Sequence, residues 1–346
     1  MRLVLNRAVW PPAARARFAF GVALVGAVLG CAPGATAEAT ASTPPSQGTP
    51  LPAASASSAN GSGPQGPSAS AAIRPSRPGA SSRRTTSVTA RATVRKAPPR
   101  RRPPRVVLPP ADGRFDYQLG GAYPPPARTA IVERDRTVAP FPGSYGICYV
   151  NAFQTQPEDL WWWEAHHPRV LLAGADGYVE DPDWPGEVLF DTSTRAKRAE
   201  LLSVIGPWID GCATRGYRAV EPDNLDSFTR SEGRLTAGTN TAFAALLVAH
   251  ADARGLAVAQ KNTAELASTL HTIGFDVAVA EECQVYRECD AYTAVYGLHV
   301  LEVEYTDNGL DAFTAACQAR RGRISIVLRD RDLVAAGDPG YAYSSC

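Results

Sequence analysis

Hydrophobic and polar positions change rhythm twice along this chain. Residues Phe18–Leu29 form one short, unbroken apolar run. Between 32 and 110 large apolar residues almost vanish, and neither a two-residue nor a 3.6-residue period emerges. From Phe115 onward, short runs rich in β-branched and aromatic residues alternate with stretches of helical spacing. Nine runs read as strands: Phe115–Leu119, Thr129–Glu133, Tyr145–Phe153, Glu187–Asp191, Ala219–Asn224, Ala257–Asn262, Val277–Glu282, His299–Tyr305 and Ile324–Arg329. Helical spacing covers Ala196–Thr214, Thr239–Arg254 (stopped by Gly255) and Ala264–Thr272. Strand–helix alternation predicts a parallel sheet with helices outside it. Over a stretch of this length the expected fold is α/β, a (β/α)8 TIM-type barrel. Eight strands close such a barrel, so one of the nine runs is surplus. Glu187–Asp191 and Ile324–Arg329 are the two candidates for a peripheral position.

The first change of rhythm reads as an address. Arg2, Arg7, Arg15 and Arg17 make a basic leader before the apolar run, which is too short to span a bilayer as a mature helix. The run ends in Val28-Leu29-Gly30-Cys31, which looks like a bacterial lipobox with Cys31 as the lipid-bearing first residue of the mature chain. Residues 1–31 are therefore expected to be a lipoprotein signal peptide. Residues 32–110, rich in Ala, Ser, Pro, Gly and Thr, lack the apolar area to offset chain entropy and read as a disordered linker. Residues 111–346 form the barrel domain on this reading. The protein is expected to be exported to the cell envelope and held at the membrane through an N-terminal lipid anchor.

Charge sharpens this division. Residues 1–110 carry 15 Lys and Arg against the single acid Glu38, whereas 111–346 carry 20 basic and 33 acidic residues. The basic run Arg95–Arg105 suits either an anionic surface or a self-repelling, solubilising linker. Export makes nucleic acid an unexpected partner. Besides Cys31 there are six cysteines, Cys148, Cys212, Cys283, Cys289, Cys317 and Cys346, an even number compatible with three disulfides outside the cytosol. Local spacing favours Cys283–Cys289. The other four allow more than one pairing, of which Cys148–Cys212 with Cys317–Cys346 is one. No CxxC or HxxxH spacing occurs, so no metal site is expected. The five histidines form no spaced ligand pair, and neither a phosphate-binding glycine loop nor a GxSxG elbow is present. No cofactor is expected.

Chemistry concentrates where predicted strands end. The ends read Val-Glu-Pro-Asp-Asn, Ala-Gln-Lys-Asn, Ala-Glu-Glu-Cys and Val-Glu-Tyr. In a TIM-type barrel these ends and the loops after them build the site. Glycosidic cleavage uses two carboxyl groups, one to protonate the leaving oxygen and one to attack or to activate water. Side chains alternate along a strand, so Glu281 shares the inward face of Val277 and Val279, while Glu282 points away. Glu221 and Asp223 share one face, with Asp223 nearer the strand end. Asp223 and Glu281 are thus the candidate catalytic pair. Glu281, after an apolar strand, suits the acid; Asp223, among Glu221, Asn224 and Asp226, suits the nucleophile or charge stabiliser. Glu221, Asn224, Asp226 and Glu304 are candidate substrate contacts, although Asn224 also suits a turn or helix cap. Trp161, Trp162, Trp163 and Trp184 are candidates for sugar stacking or for packing over a barrel end.

These motifs resemble one family in sequence order. Phe115-Asp116-Tyr117-Gln118-Leu119-Gly120-Gly121, Cys148-Tyr149-Val150-Asn151-Ala152-Phe153, Val220-Glu221-Pro222-Asp223-Asn224-Leu225-Asp226, Gln260-Lys261-Asn262, Glu281-Glu282-Cys283 with Tyr286-Arg287-Glu288-Cys289, and Val303-Glu304-Tyr305 are similar to the motifs of glycoside hydrolase 114, the endo-α-1,4-polygalactosaminidases. The resemblance spans roughly residues 113–346. It implies a TIM-type barrel, an endo-acting hydrolase of α-1,4-linked galactosamine polymer, Asp223 and Glu281 as catalytic carboxylates, and a cleft lined by Tyr117, Gln118, Lys261, Asn262 and Tyr305. The chain departs from the family pattern at Ala280, where Asn would be expected; alternation turns Ala280 away from the cleft. An acidic domain suits a cationic amino-sugar polysaccharide as partner. The chain is expected to act as a monomer. The competing class is a non-catalytic carbohydrate-binding envelope lipoprotein on the same barrel.

Overall fold

The computed structural model describes residues 106–346. The expected signal peptide, Cys31 and nearly all of the linker lie outside the described residues. In chain order the elements are β1 (Phe115–Gln118), β2 (Ile131–Asp135), β3 (Tyr145–Asn151), α1 (Leu160–His166), β4 (Glu180–Asp181), β5 (Trp184–Val188), α2 (Arg195–Arg215), β6 (Ala219–Asp223), α3 (Ala237–Asp252), β7 (Ala257–Lys261), α4 (Ala267–Thr272), β8 (Val277–Glu281), α5 (Cys283–Tyr286), α6 (Cys289–Tyr296), β9 (Val300–Tyr305), α7 (Asp311–Arg320), β10 (Ser325–Arg329) and β11 (Tyr343–Ser345).

The main sheet runs β1-β2-β3-β6-β7-β8-β9-β10-β11, parallel throughout except for the last strand. Eight parallel strands thus make the expected barrel. Its seam, between β1 and β10, is tied by side chains: Arg329 donates to the Tyr117 carbonyl, and the Tyr343 hydroxyl to the Phe115 carbonyl at 3.1 Å. The surplus candidate is Glu187–Asp191. It overlaps β5, which pairs with β4 in a separate hairpin on the long β3–β6 connection. Ile324–Arg329 supplies β10 and belongs to the barrel.

Alternation sorts the core into two layers. Phe115, Ile131, Ile147, Ala219, Ala259, Val277, Val279, Leu301 and Val327 fill the barrel interior. Val220, Val258, Ala278, Ala280 and Val300 face outward and pack with Ile205, Ile209, Phe243, Leu247 and Leu270 of the surrounding helices. Thr194 caps α2 by accepting from the Lys197 amide, and Gly216 ends it with a left-handed φ of 95°. A Thr236–Thr239 capping box starts α3. No helix occupies the β1–β2 or β2–β3 connection, so the alternation of strand and helix begins only after β3. The structure joins Cys148–Cys212, Cys283–Cys289 and Cys317–Cys346, which tie β3 to α2, the start of α5 to the start of α6, and α7 to the C-terminal residue.

Candidate active site

Four consecutive parallel strands each end in a polar residue on the inward face: Asp223 on β6, Lys261 on β7, Glu281 on β8 and Tyr305 on β9. The backbone turns abruptly just past three of them. Asn224, Asn262, Thr263 and Glu282 all have left-handed φ values, 64°, 46°, 64° and 58°. Each costs about 1–2 kcal/mol for a residue with a Cβ. That strain is concentrated where the strand ends must aim side chains into the mouth.

Lys261 is the hub. Its Nζ lies 2.9 Å from the Tyr117 hydroxyl, 3.3 Å from Glu221 Oε1, and 3.4 Å from both Asp223 Oδ1 and Glu281 Oε2. Those last two oxygens can therefore be no more than twice 3.4 Å apart. Burial alone would lower the Lys261 pKa; the carboxylates of Asp223, Glu221 and Glu281 outweigh it and hold the ammonium well above its usual range. Lys261 is a fixed cation here, not a proton acceptor. Glu281 is gripped further. Tyr305 donates to its Oε1, Asn262 Nδ2 to its Oε2 at 2.9 Å, and Asn262 Oδ1 accepts from its amide at 2.8 Å. Asp223 Oδ1 accepts from the Asn224 amide at 2.7 Å. Burial raises the Tyr117, Tyr149 and Tyr305 hydroxyls well above their usual range, helped by neighbouring carboxylates, so all three remain neutral donors.

Below this tier lie two buried carboxyl groups, Glu221 and Glu133. Burial first, and then the charge of Glu221, push Glu133 well above the usual carboxylate range. With both ionised, neither has a proton to offer, and both Glu133 oxygens and Glu221 Oε2 stay unpaired. A proton on Glu133 makes it a donor to Glu221.

The expected site residues separate into groups. Asp223, Glu281, Lys261, Tyr117, Asn262 and Tyr305 come together. Glu221 joins them from one layer down, fully buried against Lys261 rather than at the surface. Asn224 and Asp226 lie on the rim with Arg230, which also pairs with Asp181. Gln118 is a correction: alternation turns it away from Tyr117 into a cluster outside the barrel, where it donates to Asp116 and accepts from Arg134. Glu304 is a second correction, for the same reason. It faces outward from β9 and accepts from the Gln284 amide at 3.0 Å. Glu282 points away from the cleft as expected and forms a two-bond pair with Arg331. Of the tryptophans, Trp163 is buried against Phe190, whereas Trp161 is 66% exposed and Trp184 is also exposed. Cys283, Cys289 and Glu302 have metal-ligand spacing, but the disulfide takes both sulfurs.

Sequence reasoning missed Tyr149, Asn151, Glu133 and Glu187. Extending the alternation from Ile147 along β3 would have put Tyr149 and Asn151 inward, and from Ile131 along β2 would have done so for Glu133. No local pattern marks Glu187, which reaches the mouth through the β4–β5 hairpin.

The comparisons agree with this architecture. The model of glycoside-hydrolase family GH114 matches residues 95–346. A crystal structure of Aspergillus fumigatus Ega3 in complex with galactosamine matches with a TM-score of 0.57 and 21% identity, covering 70% of this chain and 98% of that one. The glycoside hydrolase domain of PelA from Pseudomonas aeruginosa matches with a TM-score of 0.48 and 17% identity, covering 65% and 97%. The first of these likenesses, at 21% identity, concerns the fold alone. No curated protein matches the chain.

Proposed function

This chain belongs to glycoside hydrolase family GH114, and on that premise we propose that it cuts α-1,4-linked galactosamine-containing polysaccharide internally with Asp223 and Glu281. The observation that carries the proposal is the convergence of both carboxylates on one ammonium at the mouth of the barrel. Glu281 protonates the departing glycosidic oxygen while Asp223 attacks the anomeric carbon. Glu281 then takes a proton from the water that releases the sugar from Asp223. Retaining pairs stand about 5–5.5 Å apart and inverting pairs about 6.5–9.5 Å. The limit set by Lys261 excludes only the wide end of that second range, and the anomeric configuration of the product decides between the two. Lys261 and Tyr305 position the pair. Glu221 and Asp223 beside one lysine, in a domain with 33 acidic against 20 basic residues, suit a cationic amino sugar.

We extend the proposal to the rest of the chain. Residues 111–346 are the catalytic domain, 32–110 a linker and 1–31 a lipoprotein signal ending at Cys31. Three disulfides support an oxidising, exported setting. Among the described residues, no helix is long and apolar enough to cross a membrane.

The test is turnover of the full chain on partly deacetylated α-1,4-galactosamine polymer, beside Asp223→Asn and Glu281→Gln. Oligosaccharides should appear with the wild type, with retained anomeric configuration, and fall by about 10⁴-fold in either variant. Binding without release would make the chain a carbohydrate-binding protein. Neither binding nor release would remove this substrate from consideration.

A further inference from the structure

We propose that Glu133 is a positioning residue for the cleavage described above: it carries a proton and donates it to Glu221 Oε2, so that Glu221 holds Lys261 from below through Oε1 while the ammonium stays directed at Asp223 and Glu281. This inference rests on the hydrolase reading. Glu133 follows Ile131 on the inward face of β2, in register with Tyr117 of β1 and Ile147 of β3. The interior around it is otherwise largely apolar, with Phe115, Ile131, Ile147, Ala219 and Val277. Glu133 and Glu221 are both fully buried, and their side chains lie within hydrogen-bond reach of each other. Among the described residues, no donor reaches either Glu133 oxygen or Glu221 Oε2. Two ionised carboxylates placed there would repel each other and leave three oxygens without a bond. One proton between them removes both faults. Burial, and then the charge of Glu221, favour that proton on Glu133.

The consequence falls on Lys261. An ammonium has three N–H bonds, but four acceptors surround this one: the Tyr117 hydroxyl at 2.9 Å, Glu221 Oε1 at 3.3 Å, and Asp223 Oδ1 and Glu281 Oε2 at 3.4 Å each. A Glu221 bearing its whole charge on the oxygen it offers would draw the ammonium down into the barrel. A hydrogen bond from Glu133 to Oε2 pulls part of that charge to the far oxygen. The ammonium then stays level with the reacting pair. Packing alone does not account for a carboxyl at this position, because an apolar residue of similar size would fill the space without the cost of burying a polar group. The titratable groups that face Glu133 are Glu221 and Asp223 from β6, Lys261 from β7, Tyr117 from β1, and Tyr217 between α2 and β6. Tyr149 of β3 stands beside Glu221 in register.

Infrared spectra and steady-state kinetics of full chains test this, with the wild type beside Glu133→Gln and Glu133→Leu. At neutral pH the wild type should show the carbonyl stretch of a protonated carboxylic acid that is missing from Glu133→Gln. On α-1,4-linked galactosamine polymer, Glu133→Leu should lower kcat about 10–100-fold with little change in KM, because Glu221 Oε2 loses its donor. Glu133→Gln keeps a donor in the same place and should recover most of that loss. Its alkaline limb of kcat against pH should lie where the wild type has it, since one neutral group replaces another. A purely structural Glu133 would move the melting temperature and leave kcat per folded molecule alone. The proposal is overturned by a wild type without the acid band, by Glu133→Gln as slow as Glu133→Leu, by an alkaline limb displaced to lower pH in Glu133→Gln, or by Glu133→Leu with the wild-type kcat. If Glu133→Leu does not fold, the infrared band and the limb of Glu133→Gln still decide. Any of those results with an active wild type would end this role alone, whereas a wild type that cleaves nothing would end the hydrolase reading with it.

Discussion

Two sides of the barrel handle buried polarity in opposite ways. Along β6–β8, outward positions are largely apolar and packed under helices, while charged residues gather at the inward strand ends. Along β1 and β2, where no helix covers the strands, the outward positions Asp116, Gln118 and Arg134 are themselves charged or polar. Arg329, at the end of β10, completes that group across the seam. It donates to the carbonyls of Tyr117, Val334 and Ala342 and pairs with Asp116 and Asp330. Every direction of its guanidinium is used. At the mouth, by contrast, Asp223 and Glu281 keep 15% and 21% of their side-chain surface open. A buried charge whose bonds are all internal holds the fold; one with acceptors left open to solvent can meet a ligand.

The largest expected effect lies at the mouth. Asp223→Asn and Glu281→Gln should lower turnover by about 10⁴-fold with a melting temperature near that of the wild type. The seam should respond the other way. Arg329→Met takes the salt-bridge partner from buried Asp116, which keeps only the hydrogen bonds from Gln118 and Tyr123, and should cost about 3–5 kcal/mol of stability. Activity per folded molecule should be nearly unchanged, as judged by active-site titration beside denaturant unfolding. If Arg329→Met were stable but inactive, the distinction between the two sides would fail.

The same contrast explains what could be read in the sequence. Period-two alternation puts Glu281 on the inward face of Val277 and Val279 and Asp223 on the face of Glu221, whereas Lys261 enters the cleft only through the family resemblance. Gln118 entered through the same resemblance, although alternation against the neighbouring Tyr117 turns it outward. A polar residue at a strand end looks the same whether it faces a cleft or a covering loop, and the missing helices after β1 and β2 leave no local trace. Glu304 was misplaced because its strand, Val300–Tyr305, alternates acids with apolar residues, and only the inward register of Val303 and Tyr305 separates the two sets. Glu187 was invisible for another reason. It reaches Asn151 across 36 positions of sequence through a hairpin outside the barrel.

Disulfides sharpen the comparison at intermediate size. Cys148–Cys212 and Cys283–Cys289 close separations of 64 and 6 residues. Chain entropy then predicts losses of about 4 and about 2 kcal/mol for the paired Ser variants. Activity should rank them in reverse order. Cys283–Cys289 fixes the turn that follows Glu281 and Glu282, whereas Cys148–Cys212 joins an outward position of β3 to α2. Thermal unfolding and turnover measured together check this. Equal activity losses would mean that the turn after β8 holds its shape without the bond.

The smallest effect separates two acids that are neighbours in space and opposite in setting. Glu304 is buried without a cation, and burial raises its pKa to about 7 even though the Gln284 amide stabilises the charge. Glu282 is paired with Arg331, whose hydrogen bonds lower its pKa below the usual 4.5. Between 4.5 and about 7 the folded chain keeps the Glu304 proton that the unfolded chain has released, so this residue costs stability as pH rises through that window. Glu304→Gln should therefore raise the melting temperature at pH 8 and leave it unchanged at pH 4. For Glu282 the sign reverses. Its contribution is present above 4.5 and is lost as pH falls below it, so Glu282→Gln should destabilise at pH 8 and do little in strong acid. The Glu282 effect should be about 1 kcal/mol, and linkage limits the Glu304 effect to about 3 kcal/mol. Both acids lie at the mouth end of the barrel and neither faces the cleft. Opposite slopes of melting temperature against pH for the two variants would show that the counter-ion, rather than position near the site, decides what a buried carboxylate does. Parallel slopes would mean that the site's own field governs them both.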